Sequence, residues 1–276
     1  LSKNIDVLIT ALSDMHSGGT TALFPNHKME WGKAKNRNHS PNSKQLKMHD
    51  LFIRSAKYAK NNRGGQMVIV HNGDAIEGIH HQTIEIVSNV WDDHVDIHET
   101  LMNEFMKKSG FAKNKGDKLY YTIGTESHTG EKEEEIARHL NADGVFQHVE
   151  IEINGRLVWF LHHGPSKGHG ANEGNALRNF LRDIYFNCQK HNTRPPDVVF
   201  TGHVHTPCYN TFVFDMHTIH GIICPSFQSK TRYAHRAAPV ERNEVGSAFL
   251  KITAGGDIRT PYFLKETSEL LDKVKL

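Results

Sequence analysis

Five short clusters along this chain combine carboxylates or imidazoles with glycine. They are Ser13-Asp14-Met15-His16-Ser17-Gly18, Asn72-Gly73-Asp74, Gly124-Thr125-Glu126-Ser127-His128, His162-His163-Gly164 and Gly202-His203-Val204-His205. Carboxylate and imidazole donors together suit Mn, Fe, Zn or Ni, and imidazole nitrogen strengthens binding along the first-row series. Asp74 follows a glycine, so the backbone can turn sharply and set its carboxylate between two ions about 3.5–4 Å apart, the spacing of two-metal hydrolases. The glycine before His203 permits a similar close approach. A hydroxide bridging two such ions would attack phosphorus in line while the ions neutralise the phosphate oxygens. Singly, each cluster is commonplace, because a lone His at a strand end is more often a hydrogen-bonded structural residue. The ordered set of five carries the weight.

Something must bring these clusters together. Each directly follows an apolar, β-branched-rich run that reads as a strand: Asp6 to Leu12, Met67 to His71, Leu119 to Ile123, Leu157 to Leu161 and Asp197 to Thr201. A sixth run covers His217 to Ile223. Short, almost continuous apolar runs are expected of strands buried on both faces. In open α/β sheets, ligand sites gather beyond the carboxyl ends of the strands, where all five clusters would converge. Helical periodicity appears in Met48, Phe52, Ala56 and Ala59, in Ile86, Val90, Ile97, Leu101 and Phe105, from Glu133 to Leu140, and from Leu177 to Cys188 ahead of Pro195 and Pro196. Val149 to Ile153 and Leu157 to Leu161 flank Asn154-Gly155, a strong hairpin signal, and Phe249 to Thr253 reads as another strand. The later half is thus strand-rich, and two packed sheets with helices outside fit an α/β chain better than one doubly wound sheet.

The length of 276 residues and 37% hydrophobic content suit a single globular domain over 1–276. A polar stretch at about 24–43 reads as an irregular insertion, and a short tail at about 265–276 as a surface helix. No apolar run approaches the ~20 residues of a membrane helix, and no secretory signal is visible, so the expectation is a cytoplasmic protein without a membrane partner. Three cysteines, not arranged as C-x-x-C, argue against a disulfide framework or a zinc–thiolate site and suit a reducing compartment. With 33 Lys plus Arg against 31 Asp plus Glu, a basic surface must come from clustering. Lys28, Lys33, Lys35, Arg37 and Lys44 form one such cluster, which also reads as an ordinary solvated loop. Arg232, His235 and Arg236 form another, able to contact a phosphate backbone or to sit on an exposed loop.

The series Asp14-x-His16, Gly73-Asp74, Gly124-x-x-x-His128, His163-Gly164 and Gly202-His203-x-His205 resembles the calcineurin-like metallophosphoesterase superfamily, from about Val7 to Pro225. The stretches after Asp74, Gly124 and His162 are similar to phosphoesterases of bacteriophages and prophages, which would place the protein in a host cytoplasm. The resemblance implies a four-layer α/β/β/α sandwich of the metallophosphoesterase type and two divalent metal ions, with Mn first and Fe, Zn or Ni as alternatives. Carried over by residue, Asp14, His16 and His205 would hold one ion, His163 and His203 the other, and Asp74 would bridge. His162 is second choice to His163, with a structural role as its alternative. The implied activity is hydrolysis of phosphate mono- or diesters, with a nucleotide or DNA as a possible substrate and nuclease action within range.

One departure matters. The superfamily pattern has Gly-Asn-His, in which Asn ligates the second ion and His protonates the leaving group. Here the Asn is absent and the spacing is longer. His128 keeps the acid role, as an imidazole titrating near neutrality suits it. Glu126, Thr125, Ser127 or water would replace the amide oxygen, Glu126 being chemically the best, and the second site is expected to be the weaker. His80 and His81 would bind phosphate, line the substrate groove or cap the following helix. The non-enzymatic alternative is a phosphoesterase-fold binding scaffold with a degraded second metal site. No P-loop and no Gly-x-Ser-x-Gly elbow occurs.

Overall fold

The computed structural model describes residues 4–79, 84–130, 132–168, 170–232 and 244–267. In chain order these form β1 (Val7–Leu12), β2 (Met29–Trp31), β3 (Arg37–His39), α1 (Ser43–Asn62), β4 (Gln66–Asn72), α2 (Trp91–Ser109), β5 (Lys118–Thr122), α3 (Glu126–Thr129), α4 (Lys132–His139) and β6 (Gly144–Phe146). The second half adds β7 (His148–Ile153), β8 (Arg156–Leu161), α5 (Asn175–Lys190), β9 (Val198–Thr201), β10 (Cys208–Phe214), β11 (His217–Ile223), β12 (Glu244–Ile252) and β13 (Tyr262–Thr267).

Two sheets face one another. One runs β13-β12-β1-β4-β5-β6, the other β10-β11-β9-β8-β7. In the first, β1, β4, β5 and β6 are mutually parallel. In the second, β8, β9 and β11 are parallel. The period of two along each strand explains the continuous apolar runs. On β1, Val7, Ile9 and Ala11 enter the core between the sheets, while Leu8 and Leu12 face the core under α1 and α2. On β9, Val198 and Phe200 lie between the sheets, and Val199 packs with Leu177 and Leu181 of α5. Each Val, Leu, Ile or Phe among them contributes about 1.5–3 kcal/mol by leaving water. With three apolar cores, the architecture is the four-layer α/β/β/α sandwich implied by the resemblance.

The turn between β7 and β8 places Asn154 at φ 50° and Gly155 at φ 79°, the paired left-handed residues of a tight hairpin. Elsewhere the structure corrects the reading of the sequence. The 24–43 stretch is not wholly irregular: it contains the β2–β3 hairpin, with Trp31 and Phe24 buried. The second helix begins at Trp91, because Ile86 lies in an isolated bridge with Gly19 and the Val87 N–H donates to Gly18 O (2.8 Å). β12 starts at Glu244, before the expected Phe249. Lys265–Thr267 end strand β13 instead of opening a helix; the remaining tail, and His80, His81, His235 and Arg236, lie outside the described residues. Arg232 is exposed, and its backbone N–H donates to Glu85. No helix among the described residues is long and apolar enough to cross a membrane.

Candidate metal centre

The carboxyl ends of β1, β4 and β5 from one sheet and β8 and β9 from the other carry the five clusters to one place. The β1 and β4 loops run side by side: Asp14 N–H donates to Gly73 O (3.1 Å), and His16 N–H to Asp74 O (3.0 Å). The β9 loop joins through His203 N–H, which lies 3.1 and 3.0 Å from the two Asp14 oxygens. The β5 loop closes on Asp74, whose Oδ1 accepts from Thr125 N–H at 2.6 Å. Asp14 (φ 51°), His16 (45°), Asp74 (49°), His203 (68°) and His205 (53°) all occupy the left-handed region. Such backbone persists where surrounding structure over-determines it, and it clusters at functional sites. Gly73 is required for packing, since a Cβ there would lie 2.1 Å from His162 Nδ1. At Gly202 a Cβ would meet Ser13 Oγ at 2.3 Å.

Among the described residues, four groups bring metal-competent atoms within 4.8 Å of one another: Asp14, His16 and His205; His16, Asp74 and His128; Asp14, Asp74 and His162; His162, His163 and His203. His16 Nε2 lies 3.3 Å from His205 Nε2 and 3.8 Å from Asp74 Oδ2. The two adjacent histidines divide their positions. His162 is buried, its Nδ1–H donates to Asn72 O (2.9 Å), and its Nε2 stands 3.2 Å from Asp74 Oδ2. That Nε2 has no aligned hydrogen-bond partner. A buried imidazole nitrogen set against a carboxylate, its other nitrogen tied to a backbone carbonyl, is the arrangement of a metal ligand once a cation takes the place of the Nε2 proton. His163 is exposed and meets the centre through His203, their rings 4.6 Å apart. The alternation along β8 marks the difference: Val158, Phe160 and His162 continue the face between the sheets.

Glu126 and Ser127 are exposed at the start of α3, and Glu126 falls in none of the four groups. Thr125 reaches Asp74 with its side chain as well, its hydroxyl 3.2 Å from Oδ2. His128 stands edge-on to His16, with ring centroids 4.7 Å apart, and its Nδ1–H donates to Glu77 O (3.1 Å).

Glu77 was not singled out in the sequence, where an acidic residue beyond Asp74 passes for a solvated one. It is buried, lies 3.0 Å from His16 Nδ1 through Oε2, and is held there by Gln228 Nε2 at 2.7 Å. Burial works against the imidazolium of His16, but the Glu77 charge, with Asp74 and Asp14, outweighs it and pushes the pKa up to about 9. His162 is likewise pushed up to about 9, against its burial, by Asp74 and Asp14 nearby. Burial would raise the two carboxyls, yet the neighbouring imidazoles hold both well below the usual range, His205 first for Asp14 and His162 first for Asp74. Burial lowers His203, and burial with the charge of His162 lowers His163, so both stay neutral donors. The oxygen and nitrogen donors, the partnerless His162 Nε2 and the ionised carboxylates fit divalent first-row ions.

No protein-family model and no curated protein matches the chain. Among solved structures, it is similar to a conserved uncharacterized protein of Streptococcus pneumoniae TIGR4 described as a predicted phosphoesterase, at 9% identity and TM-score 0.35, over 95% of this chain and 98% of that one. It is also similar to a Thermotoga maritima protein, at 14% identity and TM-score 0.35, over 95% and 99%. The sulfate thiohydrolase SoxB of Thermus thermophilus aligns at 10% identity and TM-score 0.41, over 98% of this chain and 58% of the larger protein. Likeness of this degree carries no inference about activity. The resemblance to calcineurin-like metallophosphoesterases, read from the motifs, extends to the four-layer fold and to the strand ends that carry the clusters.

Proposed function

We propose that this chain is a metal-dependent phosphoric ester hydrolase acting on mono- or diesters. The observation that carries the reading is Asp74, ionised and set among His16, His128, His162 and Asp14 at the junction of both sheets. Asp14, His16 and His205 would hold one divalent ion, His162, His163 and His203 the other, and Asp74 would serve both. Mn is the first ion to try, with Fe, Zn or Ni accepted by the same donors. Divalent ions, when bound, supply a nucleophile from water at neutral pH and neutralise phosphate oxygens. Glu77 holds the His16 ring, and the peptide of Thr125 holds the Asp74 carboxylate. His128, its Nδ1–H tied to Glu77 O, would give a proton from Nε2 to the departing oxygen as an imidazolium. Burial, followed by the charge of His16, lowers the His128 pKa, so this acid is strong once charged.

The test is hydrolysis of p-nitrophenyl phosphate and bis-p-nitrophenyl phosphate with added Mn, comparing wild type with Asp74→Asn. Turnover that needs Mn and is lost in the folded variant supports the reading. Absence of turnover on both esters, or activity indifferent to the substitution, favours the binding scaffold. That rival draws support from the outward Glu126, which leaves the neutral Thr125 hydroxyl, and not a carboxylate, in the place of the expected Asn.

A further inference from the structure

We infer that a cleft beside His128 is a subsite for the base of a departing nucleoside, an inference that rests on the phosphoesterase reading above. The cleft lies between the start of α2 and α4 and measures about 470 Å³, within the ~300–1,000 Å³ of small-molecule sites. Thr129 and Gly130, which directly follow His128, line one side, and Trp91 lines another. Gly78 is wedged between them: a Cβ there would meet Trp91 Cη2 at 2.8 Å and His128 O at 2.0 Å. The indole therefore packs beside the peptide of the residue that delivers the proton. The cleft thus opens beside the residues that directly follow the proposed acid.

The remaining lining decides what chemistry the cleft takes. Lys132 and Arg138 are matched by Glu134 and Glu135, so the walls carry no excess charge for a second phosphate. Lys132 is engaged, 2.6 Å from Glu135 and 3.3 Å from Asp92. That leaves the part of the half-buried Trp91 indole not packed on the core, the exposed Arg138 guanidinium and the Glu134 carboxylate. An indole stacks on any nucleobase, and a carboxylate accepts from the ring and exocyclic N–H groups of guanine or from the amino groups of adenine and cytosine. In the basic loop, Lys28 and Lys35 pair with Glu30, and Arg37 with Asp93, while Lys33 and Lys44 are exposed.

The experiment compares substrates with one phosphate chemistry and different appendages, using the Mn-loaded enzyme. Guanosine 5′-monophosphate is set against ribose 5-phosphate, and guanylyl-guanosine against its analogue lacking the base on the leaving nucleoside. Stacking predicts a KM about tenfold lower for the base-bearing member of whichever pair is cleaved. Trp91→Leu should bring the two KM values together, and Trp91→Phe should keep them apart. Free guanosine should inhibit the wild type competitively, a readout that needs no variant. Equal KM values in the wild type, or a preference that survives Trp91→Leu, would overturn the subsite while leaving the hydrolase reading intact. No metal-dependent turnover on any ester would overturn both.

Discussion

Glu133, the second residue of α4, is buried behind the β5 loop, where one carboxylate oxygen accepts from Gly124 N–H at 3.3 Å. Its other oxygen is buried without a partner. Burial, with the charge of Asp74 adding to it, pushes the pKa from 4.5 up to about 7, against hydrogen bonds that favour the ionised form. The folded chain therefore binds this proton more tightly than the unfolded chain does. The resulting stability is fully present below pH 4.5 and is lost as pH rises through 7. At about 1.4 kcal/mol per tenfold change in proton affinity, the loss is on the order of 3 kcal/mol. Glu133→Gln keeps the shape and the acceptor for Gly124 and cannot ionise. At pH 5 the variant should match the wild type, and at pH 8 it should be more stable by about 2–3 kcal/mol. With about 2–4 °C per kcal/mol for chains of comparable size, the gap at pH 8 is about 5–10 °C in Tm. Thermal unfolding followed by circular dichroism, with a chelator present so that metal binding contributes nothing, reads this directly. Melting curves of the two proteins that stay parallel from pH 5 to pH 8 would show that Glu133 does not titrate in this window, and the argument would fail.

Two further substitutions probe the centre. Glu77→Gln removes the charge beside His16 Nδ1 while preserving size, and should weaken Mn binding about 10–100-fold by calorimetric titration; unchanged affinity would make the contact incidental. Gly73→Ala forces a side chain into a left-handed residue (φ 80°) and against the His162 ring, and should cost about 2–3 kcal/mol in urea unfolding as well as bound metal. A variant with wild-type stability and metal content would refute the need for that close approach.

What the sequence made legible follows from burial. β4 and β9 were plain because both faces of those strands meet apolar cores, and β11 because its last three residues, Gly221, Ile222 and Ile223, are buried. β10 and β13 escaped because each is an edge strand, paired on one side, with polar positions such as Asn210 and Thr211 on β10 and Lys265 and Glu266 on β13 that break the apolar signal. Ile86 and Val90 fit helical spacing, yet the segment is held by Gly18 and Gly19, contacts that no local pattern contains. In the site, residue types at strand ends were readable, since each loop that carries a candidate cluster directly continues a strand. The order of preference between His162 and His163 depends on strand parity, which the run Val158-Trp159-Phe160-Leu161 encodes only once its inner face is known. Glu77 and Gln228 are 151 residues apart and meet through tertiary packing alone.

The same packing explains how this cluster of imidazoles and carboxylates can be buried at all. Asp14 and Asp74, ionised in a buried site, would be costly without compensation. His16 and His162, both pushed up to about 9, can supply it as protons at neutral pH. A divalent ion held by Asp14, His16, Asp74 and His162 would supply it instead through the same ring nitrogens, and its binding would release those protons. Glu77 sharpens the exchange. Its charge favours either a proton or a cation at His16, and it stays in place for both because Gln228 holds it. The left-handed backbone at Asp14, His16, Asp74, His203 and His205 is thereby accounted for as well. Strained residues on loops from two sheets are kept where converging carboxylates and imidazoles stabilise one another, and such a cluster is held ready for a cation whose charge and coordination replace the protons.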